Sequence, residues 1–347
     1  MNHKVGVVGI GFGLGVHVPA FRLDSRCEVA AICASTKERA AAAAEQAGIP
    51  HAYGDWRALI ADPGVDMVSI ATPAAAQGEI ARGAMEAGKH VFLEKPLAST
   101  AEQGLELAAL AESNGVRTSL DFEFVETPGW PELKRALDAG ELGDLRIVNL
   151  DWQVNSFAIQ NGYFDSWKLR PDQDGGVLNL FGTHTFHYLE WLFGRIDRLR
   201  VHLPGLPGLP DQVEALALLQ IEFENGAQGS VSLSSASFQG NGHRVEVYGS
   251  KGSARLSNPT KDYIRGFELE IGSAETGERR TIPLDQDDDL NRDGRIAPVS
   301  RMVRRFLDAI EAGRACSPNV ADGVRVQRWI DVARESAKSG EWLGVSE

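Results

Sequence analysis

From Lys4 to Val18 the chain reads KVGVVGIGFGLGVHV, and no other stretch restricts the fold as strongly. Val5-Gly6-Val7-Val8 is an apolar run of strand length, and Gly9, Gly11, Gly13 and Gly15 follow at alternate positions. Beyond them the pattern turns helical, with Val16, Phe21 and Leu23 as candidate core positions. A strand, a glycine turn and a helix start in that order form the context a dinucleotide-binding fingerprint needs. Glycine permits the tight turn and lets backbone N–H groups approach a pyrophosphate at the positive end of the helix. The candidate cofactor residues here are Gly9, Gly11, Phe12, Gly13 and Leu14, with Leu14 standing where G-x-G-x-x-G has its third glycine. An ordinary strand-to-helix turn is the alternative reading of the same residues.

With 347 residues the chain is too long for one small core, and two domains are expected. The boundary is placed after Asp121, giving a dinucleotide-binding domain at 1–121 and a substrate and dimerisation domain at 122–347. A net charge of −13 argues against a nucleic-acid partner. No window approaches the roughly 18 apolar residues of a membrane span, and the early glycine run leads us to expect no signal peptide. Cys27, Cys33 and Cys316 lack metal-type spacing, so a cytoplasmic protein without a metal centre is expected.

Glu28–Cys33 reads as a second buried strand and Thr36–Ala47 as a helix closed by Gly48. NAD sites commonly offer a carboxylate just past that strand, and NADP sites offer small polar and basic groups. Here the run is Ala34-Ser35-Thr36-Lys37 with Arg39 one turn on, which favours NADP, NAD being the alternative; Ser35 and Thr36 also suit helix capping. Val65–Ala71, His90–Leu93 and Val116–Leu120 are further strands, with helices at Glu79–Ala87 and Thr100–Asn114. Strands and helices alternating at this spacing specify a parallel sheet covered on both faces, an α/β Rossmann-type arrangement. Ligands bind beyond the carboxyl ends of such strands, where Thr72, Pro73, Glu94, Lys95 and Pro96 fall.

After Asp121 the pattern changes. Arg146–Val154, Ala215–Phe223, Ala227–Ser234 and Arg244–Val247 have strand character, and Asn225-Gly226 is a hairpin signal. A second α+β domain on a large, mostly antiparallel open sheet follows. Gly175–Gly194 is an apolar helical segment carrying His184 and His187, and Val299–Ala312 and Val320–Lys338 are amphipathic helices expected to pack back toward the first domain. Asp285–Asp293 is an acidic loop. Trp167 offers a sugar a flat apolar face and Lys168 a charge for an anionic group.

The ordered set of motifs resembles the glucose–fructose oxidoreductase and inositol dehydrogenase (Gfo/Idh/MocA) family. It comprises the glycine turn, Thr72-Pro73, Ala87-Gly88-Lys89-His90-Val91 leading into Glu94-Lys95-Pro96, Gly140-Glu141-Leu142-Gly143, Gly175-Gly176, Gly182-Thr183-His184, Tyr248-Gly249-Ser250-Lys251-Gly252 and Ala333-Arg334-Glu335-Ser336-Ala337. The resemblance implies hydride transfer between NAD(P) and a carbinol or ketone carbon, usually of a sugar or cyclitol. By the same resemblance Lys95 hydrogen-bonds the reacting oxygen and relays its proton, and His184 is an acid/base. It also implies a cis Lys95-Pro96 bond and a homodimer or homotetramer formed through the second sheet.

Some positions depart from the family pattern. Leu180 stands where many relatives have an aspartate before the histidine, Asn179 is adjacent but out of register, and His187 replaces a frequent aspartate. Gln77 stands where relatives commonly have histidine, and Asp121 and Glu123 where they often have Asn or other polar residues. Asp121 and Glu123, with Trp167, Lys168, Asn179, His184 and His187, are the candidate substrate-binding residues. A non-catalytic cofactor-sensing regulator on the same fold, and an oxidoreductase of a dihydrodiol or imine, are the alternatives to a sugar dehydrogenase.

Overall fold

The computed structural model describes residues 3–286 and 292–345. The chain divides into two compact units, Met1–Glu126 with Asp289–Gln327, and Thr127–Asp288 with Arg328–Glu347.

The first unit is built on six strands: β1 (His3–Val8), β2 (Cys27–Cys33), β3 (His51–Tyr53), β4 (Met67–Ile70), β5 (His90–Leu93) and β6 (Thr118–Leu120). Every pairing is parallel, and the order is β3-β2-β1-β4-β5-β6. The runs of Val, Ile and Phe explain this, because Val5, Val7, Ile32, Val68, Ile70, Val91 and Phe92 are all buried, as strands covered on both faces require. Helices α1 (Val18–Arg22), α2 (Lys37–Ala47), α3 (Trp56–Ala61), α4 (Ala74–Glu86) and α5 (Ala101–Ser113) link the strands. The strand order reverses between β1 and β4, which is the crevice where ligands of such sheets bind.

Two details differ from the sequence reading. Strand β3 and helix α3 were not expected, because His51–Tyr53 is three residues long and carries no apolar run. Leu23 is 49% exposed, whereas Val16 and Phe21 are buried; α1 ends at Arg22, so Leu23 has left the core-facing stripe.

The second unit contains α6 (Trp130–Asp138), β7 (Leu145–Gln153), α7 (Phe157–Gln160), α8 (Thr183–Phe193), β8 (Ile196–His202), β9 (Leu216–Phe223), β10 (Gln228–Ser234), β11 (Gly242–Gly249), β12 (Gly252–Asn258), β13 (Glu268–Ser273) and β14 (Arg279–Ile282). Its eight strands run in the order β14-β13-β12-β11-β7-β10-β9-β8 and are antiparallel apart from the β7–β10 pair. One face is apolar: Val148, Leu150, Leu219, Val231, Val245 and Leu256 are buried. The other face mixes the Asp151–Arg244 and Glu270–Arg255 ion pairs with exposed Ile147, Leu218 and Tyr248. Gly226 closes the β9–β10 hairpin at φ 86°, as the Asn225-Gly226 signal implied.

Helix α9 (Ile296–Glu311) belongs to the first unit, where Phe306 packs on Phe92 with ring centres 5.9 Å apart. Helix α10 (Val320–Ser339) gives its residues up to Gln327 to the first unit and the remainder to the second. Residues 287–291 of the acidic loop lie outside the described residues. Among the described residues no helix is long and apolar enough to cross a membrane.

Candidate cofactor and catalytic site

The glycines after β1 are of two kinds. Gly9 has φ 111°, and a Cβ there would stand 2.2 Å from the Ala71 carbonyl oxygen, so only glycine fits. Gly13 is tight against Val7, whose Cγ1 would lie 3.0 Å from an added Cβ. At Gly11 and Gly15 an added Cβ would meet nothing within 4 Å. The turn therefore uses one glycine to pass β4 and leaves open space over Gly11, where a pyrophosphate could approach the backbone. Phe12 caps a turn of π-helix at Gly13–His17 that includes Leu14 and runs directly into α1.

At the end of β2, Ser35, Thr36 and Arg39 are exposed, and the Arg39 guanidinium donates to Ser35 Oγ at 2.7 Å. Thr36 also caps α2, accepting from Arg39 N. The residues that follow β2, Ala34-Ser35-Thr36-Lys37, include no carboxylate. Past β4, Pro73 begins α4, and the buried Thr72 hydroxyl finds no hydrogen-bond partner among the described residues. An orphaned hydroxyl at the switch point, open space over Gly11 and a hydroxyl–guanidinium pair beyond β2 all suit a dinucleotide.

Past β5, Glu94, Lys95 and Pro96 form a turn with a cis Lys95-Pro96 bond. Two buried side chains hold it. The Gln77 amide donates to the Glu94 and Pro96 carbonyls at 2.5 and 2.7 Å. His17, fully buried, contacts Glu94 Oε1 at 3.1 Å and Asp121 Oδ2 at 3.5 Å through Nε2, while its Nδ1 lies 2.7 Å from Ser69 Oγ. The other Glu94 oxygen accepts from Lys95 N at 3.2 Å. The Lys95 ammonium itself makes no hydrogen bond or ion pair to any described residue.

Burial alone would lower the His17 imidazole, but hydrogen bonds to Asp121 and Glu94 and their charges raise it from 6.5 to about 9. Burial also pushes on Glu94, and the His17 hydrogen bond and charge more than reverse it, holding the carboxyl below its usual range. Burial, joined by the Glu94 charge, moves Asp121 up to about 7. Burial and the charges of Asp121 and Glu94 put Glu123 well above the carboxylate range, with Lys95 and Arg295 pulling the other way. These directions favour an imidazolium–Glu94 pair at the centre of the cluster, with Asp121 and Glu123 keeping their protons to higher pH than free carboxyls do. Donor atoms of His17, Glu94 and Asp121 lie within 4.8 Å of one another, a spacing that could also hold a small cation.

In the second unit, His184 and His187 are buried on α8, one turn apart. A second π-helical turn, Leu178–Gly182, delivers the chain to Thr183-His184. It contains both Asn179 and Leu180. Asn179 Oδ1 accepts from Arg334 at 3.1 Å, and Arg334 also pairs with Glu214 at 2.8 Å, so that amide oxygen is engaged inside the protein. Behind His184, Trp152 stacks between Phe181 and His243, each 4.4 Å away. Trp167 and Lys168 are exposed on a short 3₁₀ turn, and Gly175 passes so close that an added Cβ would lie 1.8 Å from the Trp167 carbonyl oxygen.

The structure therefore gathers Glu94, Asp121 and Glu123 into one cluster, and it adds His17, which sequence reasoning passed over. The available signal was a lone imidazole inside the apolar run Val16–Val18, followed by a helix whose neighbours are buried.

A parallel sheet of this order, with a glycine turn and an orphaned hydroxyl at its switch point, defines a dinucleotide-binding protein of the two-domain α/β class. Residues 3–122 match "Oxidoreductase family, NAD-binding Rossmann fold" and residues 134–345 match "Oxidoreductase family, C-terminal alpha/beta domain". The chain belongs to the Gfo/Idh/MocA oxidoreductase family. It is 33% identical to an uncharacterised oxidoreductase of Synechocystis sp., covering 100% of this chain and 97% of that protein. It is 27% identical to levoglucosan dehydrogenase of Pseudarthrobacter phenanthrenivorans, covering 100% and 99%. It is 29% identical to an NADP-dependent D-xylose 1-dehydrogenase of Haloferax volcanii, covering 96% and 97%. A solved levoglucosan dehydrogenase complex with NADH and levoglucosan has a TM-score of 0.86 at 25% identity, with all of both chains covered.

Proposed function

We propose that this chain transfers a hydride between a nicotinamide cofactor, NADP in preference to NAD, and a carbinol or ketone carbon of a sugar, amino sugar or related polyol. One observation carries the reading: the Lys95 ammonium, which makes no hydrogen bond or ion pair to any described residue, stands on a clamped turn at the carboxyl end of a strand next to the glycine crevice. Bound nicotinamide supplies the hydride chemistry, and the chain's task is to aim the substrate and manage a proton. Gly9, Gly11, Phe12, Gly13, Leu14, Thr72 and Pro73 line the cofactor crevice, and Ser35, Thr36 and Arg39 suit a ribose 2′-phosphate.

In the reductive direction the Lys95 ammonium donates to the carbonyl oxygen as negative charge develops on it, and the oxidative direction reverses this. His184 acts as a second acid/base. Asp121, raised to about 7, and Glu123, raised well above the carboxylate range, can donate to substrate hydroxyls when protonated and accept from them when ionised. The D-xylose and levoglucosan dehydrogenases among the relatives favour a sugar. The test mixes the protein with NADPH and a panel of keto-sugars, or with NADP and the matching polyols, and follows reduced-cofactor absorbance. Turnover with at least one sugar is expected. Tight cofactor binding without turnover on any of them would replace this reading with that of a cofactor-sensing regulator.

A further inference from the structure

The turn that carries Lys95 is gripped by two buried side chains from different elements. His17 comes from the π-helical turn that follows the cofactor glycines, and it holds one oxygen of Glu94 while the Lys95 backbone N–H holds the other. Gln77, 1% exposed, comes from α4, and its amide holds the carbonyls on either side of Lys95. Neither side chain contacts the Lys95 ammonium. Ser69, on β4, fixes the His17 ring from behind through Nδ1 at 2.7 Å. The π-helical turn and α4 thus each send one polar side chain to the same short turn, and β4 steadies the first of them. A polar group buried this deeply is costly unless it is satisfied; the Gln77 NH2 spends its hydrogen bonds on this turn, and His17 Nε2 meets Glu94 on it.

We propose that His17 and Gln77 are positioning residues that set the direction of the Lys95 ammonium by fixing the turn on which it stands. The inference rests on the assignment of Lys95 given above. A lysine has a long flexible stem, so its aim depends on where its backbone is anchored, and a displacement of about 1 Å can cost about 100-fold in rate.

Three variants test this: His17→Asn, Gln77→Met and Gln77→His, the last returning an N–H donor at the position. In His17→Asn and Gln77→Met, kcat is expected to fall about 10- to 100-fold, with the NADPH dissociation constant within about 3-fold of the wild type. Gln77→His is expected to recover most of the lost kcat. A second readout is independent of turnover. Lysines are reductively methylated with ¹³C-formaldehyde, and the Lys95 resonance is assigned by its loss in Lys95→Arg. That resonance should move in His17→Asn and Gln77→Met and return in Gln77→His. This measurement stands even if no sugar is turned over, so failure of the clamp and failure of the proposed function are distinguishable. If His17→Asn does not fold, the Gln77 pair decides. A wild-type kcat with an unmoved Lys95 resonance, or a change confined to NADPH affinity, would overturn the proposal.

Discussion

A protonated imidazole in an interior is expensive, and at His17 the expense is met by two carboxyls and a serine within 3.5 Å. Its raised value has a consequence for stability against pH. An unfolded histidine loses its proton near 6.5 and the folded His17 near 9, so the stabilisation is complete below 6.5 and is lost as pH rises through about 9. The gap in unfolding free energy between wild type and His17→Asn should therefore shrink by up to about 3 kcal/mol across that window. Urea titrations at several pH values measure it; a gap that is constant or widening would mean His17 is neutral in the fold. Asp121, also raised, contributes a loss in a different window, from 3.8 to about 7. The glycines give a second contrast at this scale. Gly9→Ala should destabilise the fold by about 1–3 kcal/mol from backbone strain, with the Ala71 overlap adding to it. Gly11→Ala, with open space around it, should melt like the wild type yet bind NADPH at least about 10-fold more weakly. Equal effects of the two on melting would refute the division between a structural and a cradle glycine.

Among the elements, the two π-helical turns, Gly13–His17 and Leu178–Gly182, each lead directly to a buried histidine, and such turns recur at functional sites. The first was visible as an irregular glycine spacing, the second only as an apolar run, since a one-residue widening of a helix leaves no period in a sequence. Long apolar strands and capped helices were legible. Thr100 and Asn114 bound α5 as expected, and His90–Leu93 is a strand with those limits. Short or polar elements were not, β3 and the late strands β12 to β14 among them, because their pairing depends on neighbours distant in sequence. The clamp on Lys95 was hidden for the same reason: residues 17, 69, 77, 94 and 121 meet only once the strands are side by side. At the end of β2 the absence of a carboxylate was legible and is testable. Ala34→Asp should move the NADP/NAD preference toward NAD by about 10-fold or more, and an unchanged ratio would remove the NADP assignment.

For the whole molecule, the sequence conveyed the α/β half, the antiparallel half and their order, because each rests on a different hydrophobic period. The family resemblance placed the oligomer surface on the second sheet, and an apolar open face would be the simplest form of such a surface. It is instead a mixture, in which Ile147 and Tyr248 face each other across β7 and β11 beside the Asp151–Arg244 pair. Aromatic and arginine-rich surfaces of that kind are common in protein–protein interfaces. We propose a homodimer formed through this face. Sedimentation velocity should show a dimer that Ile147→Glu with Tyr248→Glu converts to monomer; a wild-type monomer, or a dimer untouched by both changes, would contradict it.

The central claim is that the Lys95 ammonium meets the oxygen of the carbon that exchanges a hydride. The most direct measurement is steady-state turnover of Lys95→Ala beside its NADPH affinity. The account predicts kcat lower by about 100-fold or more with the dissociation constant nearly unchanged; a variant that turns over as fast as the wild type would contradict it.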